Sequence, residues 1–320
     1  MLYSLKCSAK MRLEMQSQVS FSVVISTYNR AHLVSRAIKS VLSQGYSNLE
    51  IIVVDDASSD DTAEIIRENF PKIRYIRQES NQGPGPARDR GIREASNQWV
   101  VILDDDDELL PKALLKVEES MCLQGLLTTS RIFPVIQFAH SNGSIPDQFK
   151  ILTIEDYFRG DVLGDFVPVI NRMHYISCGF TYPRVRIGGE HMLWWKIAKQ
   201  YGIPTWNIVI TKVHEDAPIR LTSPQNQISR AAEYARLQET TLEEFGVELL
   251  SKYPKLYYVK LLGAATYYLL AREKTKARKY LKKAWQFRPT TNAGLLWLLS
   301  YMPELIVHKL FVLYRRKGGV

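Results

Sequence analysis

The 320-residue chain has only three cysteines, Cys7, Cys122 and Cys178, odd in number and far apart. That excludes a disulfide framework and any zinc site built on a Cys-x-x-Cys pair, and a reducing cytosol is the simplest setting. No stretch reaches the roughly 18 uncharged apolar residues that a spanning helix needs. Met1 to Ser20 also lacks the apolar run of a secretory signal, so a cytoplasmic location is expected. Glycine and proline, at 17 and 14, are too sparse for a collagen-like or low-complexity chain. With 46% hydrophobic and 23% charged residues, the composition is that of a chain able to bury a core.

Positive charge is abundant but unevenly placed. The formal net charge is +9, yet from Leu250 onward 15 Lys and Arg face two Glu, a balance of +13 that leaves the preceding 249 residues at −4. A basic footprint over the body is therefore absent, and no nucleic-acid partner is expected. Three regions follow: an N-terminal extension at 1–20, an α/β body at 21–222 and a basic helical region at 223–320.

From Phe21 to about Met121, short β-branched apolar runs alternate with amphipathic segments, the pattern of strand and helix units around a mostly parallel sheet. Phe21–Ile25, Glu50–Val54, Ile73–Ile76 and Trp99–Leu103 read as strands. Leu33, Ala37, Ile38, Val41 and Leu42 recur at helical spacing. Between Gln124 and Gly189 the periodicity assigns little. A helix is expected over Glu190–Tyr201, and helices from Gln227 onward, broken at Pro254, Pro289 and Pro303.

In open parallel sheets, ligands bind beyond the carboxyl ends of the strands. Three such ends carry chemistry: Ser26-Thr27-Tyr28-Asn29-Arg30, Asp55-Asp56-Ala57-Ser58-Ser59-Asp60 and Asp104-Asp105-Asp106-Asp107-Glu108. Four consecutive aspartates repel one another strongly, which a divalent cation among them relieves. Oxygen-only ligands point to Mn²⁺ or Mg²⁺ rather than zinc. An acidic turn capping the following helix remains the alternative.

These segments, with Asn81-Gln82-Gly83-Pro84-Gly85-Pro86-Ala87-Arg88-Asp89-Arg90-Gly91 between them, resemble in order the motifs of family 2 glycosyltransferases over residues 21–120. The resemblance implies a GT-A fold: an α/β, Rossmann-like, mostly parallel sheet flanked by helices, here with a C-terminal helical extension. It also implies a nucleotide-sugar donor, UDP-sugar favoured, and a carbohydrate or lipid-linked acceptor. By position, Tyr28 would lie against the base with Ser26, Thr27 and Arg30 nearby, Asp56 would bond the base with Asp55 beside it, and Gly83 and Arg88 would lie near the donor. Asp106 would be the main metal contact, Asp104 and Asp105 would reach toward sugar and ribose, Asp104 joining the metal, and His214 would be a further ligand.

The family's catalytic base opens a helix in a pattern like Glu-Asp-x-x-Leu-Trp. Here Gly189-Glu190-His191-Met192-Leu193-Trp194-Trp195 departs from it, since either alignment loses the Asp, and leaves Glu190 and His191 as the two candidates. Inversion at the anomeric carbon follows from the resemblance. A non-catalytic nucleotide-sugar-binding or membrane-surface protein and a sugar nucleotidyltransferase are the rival readings. In the tail, Leu295–Leu299 and Leu310–Lys317 combine apolar and aromatic residues with a basic end. Such helices either lie in a membrane interface, on the inner face of the plasma membrane, or pack on the rest of the protein.

Overall fold

The computed structural model describes residues 19–214, 216 and 223–316; most of the N-terminal extension, including Cys7, and residues 317–320 lie outside the described residues. The chain divides into two compact units, Met1–Arg184 with Leu193–Ala217, and Val185–Met192 with Pro218–Val320.

The first unit opens with strands β1 (Phe21–Thr27), β2 (Leu49–Asp55), β3 (Arg74–Arg77) and β4 (Trp99–Asp104), joined by helices α1 (Ala31–Leu42), α2 (Thr62–Asn69) and α3 (Pro84–Glu94). The strand runs are apolar at nearly every position because both faces of the sheet are covered. Val23, Ile25, Val53, Val101 and Leu103 pack in one layer with Val34 and Ile38 of α1. Val24, Ile52, Val54, Val100 and Ile102 pack in the other with Ala87 and Ile92 of α3. This is the period-2 alternation of a strand, hidden in the sequence because both alternating sets are hydrophobic.

After α4 (Ala113–Leu123), the stretch that periodicity leaves unassigned supplies β6 (Val135–His140), β7 (Phe149–Leu152), the short helices α5 (Ile154–Arg159) and α6 (Arg172–Ser177), and β8 (Phe166–Asn171). Helix α7 (Glu190–Gln200) and strand β9 (Ile203–Lys212) follow, and the two-residue β5 (Glu108–Leu109) completes a nine-stranded sheet ordered β3-β2-β1-β4-β8-β6-β9-β5, with β7 also on β9. The β3-β2-β1-β4 half is parallel, whereas β8 joins β4 and β6 antiparallel, so the whole sheet is mixed. Between β1 and β4 the order in which strands are added reverses, from β2 and β3 on one side of β1 to β4 on the other, the topological switch point at which such sheets open a crevice.

The second unit is helical: α8 (Pro224–Ser229), α9 (Ala231–Lys252), α10 (Pro254–Leu270), α11 (Lys274–Phe287), α12 (Thr291–Leu299) and α13 (Glu304–Arg316). Three of its breaks fall at the expected prolines, because a ring nitrogen cannot donate to the preceding turn, whereas α10 and α11 part at Ala271–Glu273, where Arg272 is left-handed (φ 66°). Small residues bring α9, α10 and α11 together, with Ala235, Ala264, Ala265, Ala277 and Ala284 buried beside Leu261, Tyr268 and Leu281. Glu239 ties these helices by accepting from the hydroxyls of Tyr268 at 2.5 Å and Tyr280 at 2.6 Å.

Gly91 is where α3 lies tightest on β1, since a Cβ there would sit 2.2 Å from Val24 Cγ1. Gly91→Ala should therefore lower stability by about 1–3 kcal/mol through overpacking. Urea denaturation followed by circular dichroism checks this, and an unchanged midpoint would contradict so close an approach.

Candidate active site

Register levels the three strand ends. Thr27 pairs with Asp55 of β2 and Ser26 with Asp104 of β4, so the loops after β1, β2 and β4 leave the sheet side by side. Ser26 and Thr27 are buried at the base of the crevice, while Tyr28 is exposed. Asn29 and Ala57 adopt left-handed backbone (φ 52° and 64°). The first two loops interlock there: Asn29 N–H donates to Ser58 Oγ at 2.9 Å, and Ser59 N–H donates to Asn29 Oδ1 at 2.7 Å. Asparagine tolerates that conformation better than most residues.

Asp55 is wholly buried. Its carboxylate accepts from Ser58 N–H at 2.8 Å and Tyr75 Oη at 2.5 Å, with Arg77 at 3.3 Å, so it shapes the loop from beneath. Asp56 takes Gln78 Nε2 at 2.6 Å, Gln82 N–H at 2.8 Å and Gly83 N–H at 2.7 Å. It thereby tethers the segment that opens α3. Burial raises its pKa, and these three bonds work against that. Gly83 has φ 99°, a conformation that a side chain would strain.

The aspartate run turns directly out of β4. Carboxylate oxygens of Asp104, Asp106 and Asp107 all lie within 4.8 Å of one another. Two arginines enter the cluster, Arg30 from the loop after β1 and Arg88 from α3. Arg30 Nη1 donates to Asp105 Oδ1 at 2.6 Å and Asp106 Oδ2 at 2.8 Å. Arg88 Nη2 donates to Asp104 Oδ1 at 2.5 Å, its guanidinium standing 5.6 Å from the Tyr182 ring centre.

The cluster remains electrostatically strained. Burial, then repulsion from Asp104 and Asp106, pushes Asp107 up to about 8. Burial also lifts Asp105 to about 6 despite Arg30. Asp104 is the exception: burial acts upward, but Arg88, then His140 and Arg30, together hold its pKa below the ordinary carboxylate value. Three crowded, partly desolvated carboxylates are the donor set that a hard divalent cation fits, and Asp104, Asp106 and Asp107 would hold it.

Strand β9 brings the remaining parts. Because β5 pairs antiparallel with β9, Glu108 opposite Lys212, the segment after β9 returns to the aspartates. His214 N–H donates to Asp107 Oδ1 at 3.4 Å, but its ring pairs with Glu108 at 3.0 Å, outside the three-carboxylate group. Two neighbours escaped the sequence reading. Buried His140, at the end of β6, bonds Thr211 Oγ1 at 2.5 Å and lies 3.7 Å from Asp107, and burial lowers its pKa. Arg36 of α1 donates to the Asp106 carbonyl at 2.7 Å and to Asp216 at 2.6 and 3.0 Å. His140 sits in the stretch without periodicity, and Arg36 reads as an ordinary helix-surface residue, so neither carried a signal; Asp107 did, as the fourth of the run.

Glu190 and His191 belong to the second unit, in the first turn of α7. Burial, with Lys260 nearby, pushes His191 down to about 3, which leaves it a neutral imidazole. Lys260 is itself lowered by burial to about 8.

Residues 22–137 match the family described as Glycosyl transferase family 2. The chain is 27% identical over 302 residues to the GalNAc(5)-diNAcBac-PP-undecaprenol beta-1,3-glucosyltransferase of Campylobacter jejuni, covering 90% of this chain and 96% of that one. It is 39% identical over 97 residues to the succinoglycan biosynthesis protein ExoO of Rhizobium meliloti, covering 30% of this chain and 28% of that one. Among solved structures it resembles S. aureus TarS 1-349 in complex with UDP-GlcNAc (TM-score 0.54, 15% identity, 93% of this chain and 92% of that one). It also resembles the mannosyltransferase PcManGT of Pyrobaculum calidifontis in complex with GDP-Man and Mn²⁺ (TM-score 0.53, 16% identity, 94% and 88%). With the motifs, the strand order and these relatives in agreement, residues 22–137 carry a family 2 glycosyltransferase domain, on a GT-A fold with a C-terminal helical extension.

Proposed function

We propose that the enzyme transfers a sugar from a nucleoside-diphosphate sugar to a hydroxyl of a lipid-linked carbohydrate, with inversion and with dependence on Mn²⁺ or Mg²⁺, in the synthesis of a cell-surface polysaccharide or glycoconjugate. The observation that carries this is the meeting of Asp104, Asp106 and Asp107 at the sheet's switch point. The acceptor class rests on the Campylobacter jejuni relative, whose name specifies an undecaprenol-diphosphate-linked substrate and which aligns over nearly its whole length. UDP is favoured as the commoner donor of the family. A lipid-linked acceptor makes the enzyme a peripheral protein at the cytoplasmic face of the membrane.

The proposed chemistry is a single displacement. Tyr28 stacks on the base, with Ser26, Thr27 and Asp56 toward the nucleoside. Arg30 and Arg88 are cations already inside the crevice and face the negative charge that grows on the diphosphate as the anomeric bond breaks. A cation held by the three aspartates supplies Lewis-acid stabilisation of the same charge. Glu190 takes the proton from the acceptor hydroxyl, which attacks opposite the leaving group. His191 is the weaker candidate, because an imidazole held at about 3 has little affinity for a proton.

Asp106→Ala should abolish donor turnover while circular dichroism stays that of the wild type. Glu190→Gln should lower kcat by about 100-fold or more with a small change in KM, and His191→Gln should stay close to wild type. Steady-state transfer assays separate the two, and full activity of Glu190→Gln would remove the base assignment.

Metal affinity should rise with pH. Asp107 has a folded pKa near 8, above the ordinary carboxylate value, so between the two the folded protein holds a proton that the unfolded chain has lost. The metal-free protein should therefore lose stability as pH rises toward 8. Mn²⁺ must displace that proton, so calorimetric affinity and the gain in Tm should both be larger at pH 8 than at pH 6. Equal affinity at both values would place the ion elsewhere. Parallel titrations with UDP, GDP and dTDP, with Mn²⁺ and with EDTA, name the donor nucleotide.

A further inference from the structure

Helix α13 has two apolar faces. One is used within the second unit: Val307 is buried, Phe311 packs on the helical core, His308 Nε2 lies 3.2 Å from the Leu270 carbonyl, and Glu304 pairs with Arg272 at 2.7 Å. The other carries Leu305, Ile306, Leu310, Leu313 and Tyr314, all between 42% and 79% exposed. At 100° per residue these five positions occupy one continuous half of the helix. Apolar exposure runs back along the chain through Met302 and Tyr301 to Leu298 and Leu295, one turn apart on α12. Isolated exposed leucines need no explanation, but so long a run marks an interaction surface.

Cations adjoin this surface. Exposed Lys309 stands between Leu305 and Leu313, one turn from each. At the turn between α12 and α13, Arg278 lies 4.2 Å from the Tyr301 ring centre, and Lys274 Nζ donates to the Met302 carbonyl at 2.9 Å. The whole segment from Leu250 carries 15 Lys and Arg against two Glu.

We propose that α12, α13 and the turn between them form an interfacial surface that seats the enzyme on an anionic lipid bilayer, the leucines and tyrosines entering the headgroup boundary and the α11 and α13 cations meeting lipid phosphates. This deepens the reading of a peripheral enzyme acting on a lipid-linked acceptor, and rests on it. Among the described residues no helix is long and apolar enough to cross a membrane, so the surface lies on the bilayer. A second copy is a poorer occupant, because lysine is depleted from protein interface cores while Lys309 stands inside this face, and two such segments bring like charge together.

The test is co-sedimentation of the full chain with phosphatidylcholine vesicles, with and without phosphatidylglycerol. Binding is expected only with phosphatidylglycerol, and should weaken as salt is raised. The double variant Leu305→Glu/Leu313→Glu should lower partitioning by about tenfold or more. Both side chains are exposed, so circular dichroism should not change. No binding to phosphatidylglycerol vesicles, or equal binding by the variant, would overturn the proposal. So would light scattering that shows a wild-type dimer and a variant monomer, which would assign the face to a second copy. Vesicle binding is read without donor or acceptor, and transfer to a detergent-dispersed acceptor is read without vesicles, so failure of this surface and failure of the proposed reaction are distinguishable.

Discussion

Carboxylates gathered within 4.8 Å of one another at the end of a buried strand repel, and much of the first unit is arranged so that this repulsion persists without unfolding the site. Water cannot screen the charges well, because Asp105 and Asp107 are buried. Arg30 answers them from the loop after β1 and Arg88 from helix α3, each segment held in place by another aspartate. Asp55 shapes the turn after β2, to which Asn29 locks the Arg30 loop, and Asp56 grips the turn that starts the Arg88 helix. Among the described residues no arginine pairs with Asp107, and burial, then repulsion from Asp104 and Asp106, raises its proton affinity. The repulsion left unrelieved is concentrated in the group of three carboxylates that a divalent cation would fit.

The same constraint explains why β5, only two residues long, matters. It pins the far side of the aspartate turn to β9, and with it come Thr211, His140 and the backbone of His214. Arg36 adds a bond from α1 to the Asp106 carbonyl. The turn is thus held from the sheet, from a helix and from the segment after β9, which lets a loop position charged groups with the accuracy of a regular element.

The parallel half of the sheet and its loop chemistry were legible because each depends on residues adjacent in sequence: a β-branched run, then polar residues at its carboxyl end. Even the strand limits moved by only one or two residues, since Thr27, Asp55 and Asp104 extend strands whose apolar cores were already visible. What was not legible depends on pairing between distant segments. Val135–His140 is buried throughout and too short to declare a period, so His140 became recognisable only through its register with Thr211. Arg36 has the same difficulty, because its partners lie 70 and 180 residues away.

The second unit inverts that relation between sequence and use. Its helices were foreseeable from composition and, in part, from proline breaks, whereas which of its apolar residues face the core and which face outward was not, because α13 reads simply as hydrophobic around most of its circumference. Burial divides the helix: Val307 and Phe311 satisfy the core, and Leu305, Ile306, Leu310, Leu313 and Tyr314 do not. A core that closes without half of the available apolar side chains has no need of them for folding. On α13 these side chains lie beside exposed Lys309, an apolar and basic face left over once the core has closed, as the crowded Asp104, Asp106 and Asp107 are left without a matching cation for each in the crevice.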